Sequence, residues 1–261
     1  MAWTNIIASN LIIFIIMLCG LIPAQSIIYL EKNDSEGLVD VNQSVEIYPA
    51  VNYLHGFGIT QYSRIDPERA FRDAREKAIK DLKSNLMTSV LLEVYSTHRL
   101  DPRIRSEFAI NDEINEENII PRDSIQVGQW AVYIVGYKLQ DSPLPVTFDE
   151  SRSSRNWKDD LFSPVNINGV WFSAGTAQWS RFNPERSFIL AKQNALQNLS
   201  FHRQTVVQAQ ERLYNEDLSN INYHTSRSVL TNIHVVRREQ EGSNAHVLIA
   251  VHDDDIINWR N

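Results

Sequence analysis

The side chains best suited to hold a cation lie near the C-terminus: His246 and His252, followed by Asp253, Asp254 and Asp255. Six residues apart on an extended segment, the two imidazoles share a face, and imidazole plus carboxylate is a donor set for zinc or a related ion. The alternative is a single imidazole beside a solvated acidic strand end, and on that reading no metal and no cofactor is expected. Gly56 and Gly58 stand before a helix, as phosphate-binding glycines do. A third glycine is missing and the helix begins nine residues later, so the pattern does not make a dinucleotide site. No GxSxG or HExxH signature occurs. The chain therefore reads as a non-enzyme. Its interaction candidates are Tyr62 and Arg64, with Trp179 and Arg181, which occupy the same places in two copies of one loop. In the competing reading the aromatic ring caps a core and the arginine pairs with a helix carboxylate.

Those loops belong to a longer recurrence. The segment Gly58 to Leu82 (GITQYSRIDPERAFRDAREKAIKDL) returns as Gly175 to Leu199 (GTAQWSRFNPERSFILAKQNALQNL), 117 residues later and without a gap. Each copy announces a helix by three signals. Asp66 or Asn183 is a short acceptor for the N-cap. Pro67 or Pro184 follows at the first helical position, and then Glu68 or Glu185 faces the positive end of the helix dipole. Apolar stripes continue through Phe71, Ala74, Ala78, Leu82, Leu86 and Val90, and through Phe188, Ala191, Ala195, Leu199, His202, Val206 and Ala209. The stripes predict helices from Pro67 to about Thr97 and from Pro184 to about Tyr214, with alanines set for close approach to a sheet. Gly56 and Gly58 relieve crowding at that approach.

The expected fold is α+β: two tandem repeats, each a long helix packed on a small antiparallel sheet in the order strand, helix, strand, strand. Val51 to Gln61 reads as the first strand. Leu100 to Ser124 is acidic and reads as a long loop or a helix extension, and Ile125–Val127 with Trp130–Leu139 as a strand pair. In the second unit Val165–Gln178 reads as a strand, Val229 to Val235 alternates, and the chain turns at Glu241–Asn244 and returns through Val251. Aligning the returning strand with Ala131–Val135 takes an offset of 116. The boundaries are 1–24 signal peptide, 25–46 extended lead-in, 47–140 first unit, 141–164 linker and 165–261 second unit.

The first 24 residues carry no charged side chain, and the apolar run Leu11 to Ile22 suits a signal peptide better than a membrane span. Ile22-Pro23-Ala24 offers a cleavage site before Gln25. Cys19, the single cysteine, is either the lipidated residue of a lipoprotein signal or part of the apolar run; Leu18 stands before it where lipoprotein signals carry a small residue. Cleavage after Ala24 leaves a mature chain without cysteine, and hence without disulfides. A net charge of −7 with scattered basic residues excludes a nucleic-acid surface. Membrane contact would then come only through an uncleaved or lipidated N-terminus.

A strand ending in Gly-x-Gly, a helix with Ala74-Arg75, Ala78-Ile79 and Asp81-Leu82, and a terminal hairpin closing on Ala250-Val251-His252-Asp253 together resemble a known pattern. It is that of the small bacterial outer-membrane lipoprotein family that includes flagellar FlgP, and it is similar to the N-terminal domain of flagellar assembly protein T. The second copy matches through Gly175, Ala191, Ala195-Leu196 and Leu199, and departs at Ser173, where the first has Gly56. The resemblance implies an exported, periplasmic or outer-membrane-associated envelope scaffold or ring component without enzymatic activity. It further implies self-association, with other envelope or flagellar proteins as partners. A periplasmic binding module for peptidoglycan, polysaccharide or a small ligand is the alternative.

Overall fold

The structure, a computed structural model, describes residues 26–30, 43–47, 53–97, 100–110, 114, 116–139, 157, 163–214 and 223–259. The expected signal peptide with Cys19, most of the lead-in and most of the linker lie outside them. The described elements run β1 (Ser26–Leu30), β2 (Gln43–Ile47), β3 (Tyr53–Gln61), α1 (Pro67–Leu86), β4 (Met87–Thr97), β5 (Leu100–Ile110), β6 (Ile119–Val127) and β7 (Trp130–Lys138). They continue as β8 (Val165–Ile167), β9 (Val170–Gln178), α2 (Pro184–Tyr214), β10 (Tyr223–Thr231), β11 (His234–Glu241), β12 (Asn244–His252) and β13 (Ile256–Trp259).

This is mostly sheet, and it overturns the expected pair of separate helix-on-sheet units. Among the described residues three sheets form, in the orders β2-β1-β11-β12-β9-β8, β13-β10-β4-β5 and β3-β7-β6. The second of these joins the two halves of the chain: β4 pairs antiparallel with β10, from Tyr95 opposite Tyr223 to Met87 opposite Thr231. The first sheet mixes them too, because β1 lies parallel to β11. The main core cluster likewise draws Phe57, Val90, Leu92 and Ile134 together with Phe188, Leu196, Leu230 and Ile249.

The correction has a local cause. Helix α1 ends at Leu86, and the stretch expected to prolong it becomes β4. Val90 stands four residues after Leu86, which fits a helical stripe. Thr88, Val90 and Leu92 are all buried while their neighbours are less so, which is the alternation of a strand. β-branched side chains favour that outcome once a partner strand is present. Leu100–Ile110 is likewise a strand where a long loop or a helix extension was expected, and the expected strand Ile125–Val127 begins earlier, at Ile119. Val165–Gln178 is a hairpin, turning through Asn168 (φ 53°) and Gly169 (φ 82°), the left-handed pair of a tight two-residue turn. Helix α2 covers Pro184–Tyr214 as expected.

Locally, the two copies of the recurring segment have matching geometry. In each, the N-cap side chain accepts from the backbone N–H three residues on, Asp66 from Arg69 at 3.0 Å and Asn183 from Arg186 at 3.1 Å. Tyr62 N–H donates to Gln129 O and Trp179 N–H to Ser243 O. A Cβ on Gly58 would collide with the Ala74 carbonyl, and one on Gly175 with the Ala191 carbonyl. Strand and helix backbones therefore touch at these glycines. Gln61 lies opposite Trp130 and Gln178 opposite Asn244, so the hairpins correspond at an offset of 114 rather than 116. A slip of two residues keeps every side chain on its own face, so hydrophobic pattern alone could not distinguish the two registers.

Candidate functional site

The paired loops leave β3 and β9 and enter α1 and α2 at their capped ends. Tyr62 is half-buried, edge-on to Phe71 at 6.1 Å between ring centroids. Trp179 is half-buried between Trp130 (6.3 Å) and Phe188 (5.5 Å). Trp179 thus packs against the core, Tyr62 rests on the half-buried Phe71, and Arg64 and Arg181 are exposed. The Trp130–Trp179 contact, together with the bond from Tyr62 N–H to Gln129, ties both loops to the turn at residues 128–129. The residue after each arginine, overlooked in the sequence, is the most exposed large apolar side chain of its loop: Ile65 is 98% exposed and Phe182 101%. Beside Phe182 lies an open pocket of about 670 Å³ whose lining includes Trp179, Arg181, Arg186 and Leu190.

A second constellation lies inside. Asp81 on α1, Lys192 on α2 and Arg238 on β11 meet where the two halves of the chain press together. Lys192 Nζ donates to Asp81 Oδ1 and Ser84 Oγ, both at 2.5 Å, and to Asn85 Oδ1 at 2.8 Å. Three acceptors require three protons, so the amine is an ammonium. Arg238 donates to Asp81 Oδ2 at 2.5 Å and stacks over the Phe57 ring at 5.0 Å. Phe57 N–H also donates to Asp81 Oδ2, at 3.0 Å. Burial alone would push the Asp81 carboxyl up, but the two cations outweigh it and hold it below the usual carboxylate range. Burial lowers Lys192 despite the opposing pull of Asp81, and does the same to Arg238. With every proton of Lys192 engaged, the cluster is built as an internal clamp rather than as an acid or base facing substrate.

Next to it sit two histidines, His55 buried and His234 half-buried. Desolvation, followed by Arg122 and Arg238, lowers His55 to about 4, and desolvation followed by His55 lowers His234 to about 4. Both are neutral at pH 7, and among the described residues neither Nε2 has a hydrogen-bond partner. The expected pair His246 and His252 does lie on one strand, β12. His246 Nδ1 is 2.9 Å from Thr176 Oγ1, and His252 Nδ1 accepts from Asp254 N–H at 3.3 Å. Asp253 is taken up by Trp171 Nε1 and Arg203, and Asp255 by Thr231 and Asn232. Among the described residues no three His, Cys, Asp or Glu side chains gather at one point.

The ion cluster left a trace in the sequence that was not used. Asp81 and Lys192 correspond across the recurrence to Asn198 and Arg75, so charge changes between the copies at Asp81, next to the stripe residue Leu82, and is kept at Lys192. The exposed tips left none, because Ile65 and Phe182 fit any apolar role. No family model, no curated protein and no solved structure matches this chain.

Proposed function

We propose that this chain is a non-enzymatic, exported scaffold protein of the bacterial cell envelope that works by self-association, as a ring or motor-accessory component would. The observation that carries this reading is the contrast between interior and surface. The strongly perturbed ionisable groups are packed into the fold's own interior. Apolar side chains, by contrast, stand fully in solvent at two corresponding loop tips. An enzyme turns its perturbed groups towards a cleft; an interaction protein displays apolar anchors on its surface.

Contact through those tips is a better route than strand-to-strand addition at four of the six outer strands described, β5, β6, β8 and β13, which are blunted. β6 contains Pro121 and a bulge at Arg122, β5 contains Pro102, and β8 and β13 have only three and four residues. Light scattering of the full chain over a concentration series tests the reading: mass rising to a defined assembly is expected, and a strict monomer at high concentration overturns it. The open pocket favours the second reading, a binding module for cell-wall fragments or a small ligand, which binding of such fragments by a monomer would support.

A further inference from the structure

We infer that Lys192 and Asn85 become joined by an intramolecular amide bond, made by the protein itself, that locks α2 to α1. The inference goes beyond the scaffold reading and does not depend on it. Lys192 Nζ lies 2.8 Å from Asn85 Oδ1, so the amide carbon is one bond further on. The amide is already oriented: its nitrogen donates to His55 O at 2.8 Å, which turns its oxygen towards the amine. Water, the competing nucleophile, is kept away, because Asn85 is fully buried and Lys192 is only 4% exposed. Two reacting groups held together and dry are in the condition that favours attack on an unactivated amide.

Charge balance favours the product. Lys192 and Arg238 share a single carboxylate, Asp81, and a surplus buried cation is costly. Turning Lys192 into an amide leaves Arg238 and Asp81 as a matched pair. The ammonium first passes a proton to Asp81 Oδ1, 2.5 Å away. The freed lone pair bonds to Asn85 Cγ, and the C=O electron pair moves onto Oδ1, where the remaining charge of Arg238 offsets it. Asp81 then relays a proton from the attacking nitrogen to Nδ2. The Cγ–Nδ2 bond breaks, its electron pair leaves with ammonia, and ammonia takes the last proton from Asp81 and departs as ammonium. Few chains carry the proton on Asp81 at any moment, but the bond has to form only once per molecule. It spans 107 residues of sequence, and a cross-link closing so long a loop restricts the unfolded chain strongly. The one cysteine, Cys19, can make no disulfide within the chain.

Mass spectrometry of the full chain provides the test. A tryptic digest of the denatured parent is expected to contain Ser84–Arg99 joined to Ser187–Arg203, uncut after Lys192 and lighter than the two peptides together by one ammonia. Lys192→Met should lose the joined species, and in Asp81→Asn its fraction should fall by at least about tenfold. The parent digest decides without any variant, so a variant that does not fold leaves the test intact. Recovery of Ser84–Arg99 alone, with cleavage after Lys192, overturns the inference. Asp81–Lys83 joined to Ser187–Arg203 and lighter by one water also overturns it, since the bond would then lie on Asp81. Neither result bears on self-association, which light scattering reads separately.

Discussion

The segments 58–82 and 175–199 share 11 of 25 residues and use one position for opposite ends of a bond. Asp81 accepts from the backbone N–H of Phe57, while Asn198, 117 residues later, donates from its side-chain amide to the carbonyl of Ala174 at 3.0 Å. In both cases the side chain pins the helix to the strand beneath it. The charged version does one thing more: its carboxylate also holds Lys192 and Arg238 of the other half. Lys192 in turn corresponds to Arg75, which is exposed on α1. Divergence after a duplication has thus changed a local pin into a clamp between the copies, with the anion supplied by one and a cation by the other.

Making the copies alike again should break the clamp. Asp81→Asn gives the first copy the residue of the second and leaves Lys192 and Arg238 buried without their counter-charge. A loss of about 3–5 kcal/mol is expected, measured by denaturant unfolding, whereas Asn198→Ala in the second copy costs roughly 1–2 kcal/mol. Next come the close contacts shared by both copies. Gly58→Ala and Gly175→Ala each push a methyl group into a helix carbonyl, and each should cost about 1–3 kcal/mol or more. Unequal losses would show that one helix yields more readily than the other.

Acid sharpens the comparison further. His55 and His234 both belong to the seam between the halves, and both have folded-state values near 4 against an ordinary 6.5. The unfolded chain binds their protons first, so stability is complete above about pH 6.5 and falls as the pH drops towards 4, by up to about 3 kcal/mol per histidine. The depressed Asp81 value acts in the same direction at lower pH, its contribution being lost as the pH falls through its folded value. Thermal midpoints of the parent and of His234→Phe across pH 4–7 check this, and the variant should show a shallower slope. The smallest effect on stability belongs to the loop tips: Ile65→Ser and Phe182→Ser should each change it by less than about 0.5 kcal/mol.

What could be read in the chain followed the range of the forces involved. The helix starts at Asp66-Pro67-Glu68 and Asn183-Pro184-Glu185 were legible because capping, proline and dipole act within one turn. The turn after Glu241 was legible for the same reason. β4 was not, because its alternation coincided over a few residues with a helical stripe and its partner β10 lies far along the chain. Asp81 and Lys192 come from different copies, and nothing near either position announced the other. The exposure of Ile65 and Phe182 is a property of the folded surface, so the candidate loops were found while the side chains that project furthest from them were missed.

The pairing of β4 with β10 also sets a timetable for biosynthesis. When Met87–Thr97 leaves the ribosome, the strand that will lie along its edge, Tyr223–Thr231, has yet to be translated. The nascent first half must wait with an open hydrogen-bonding edge. Long-range pairing of this kind slows folding, and until it forms the open edge can meet the wrong neighbour.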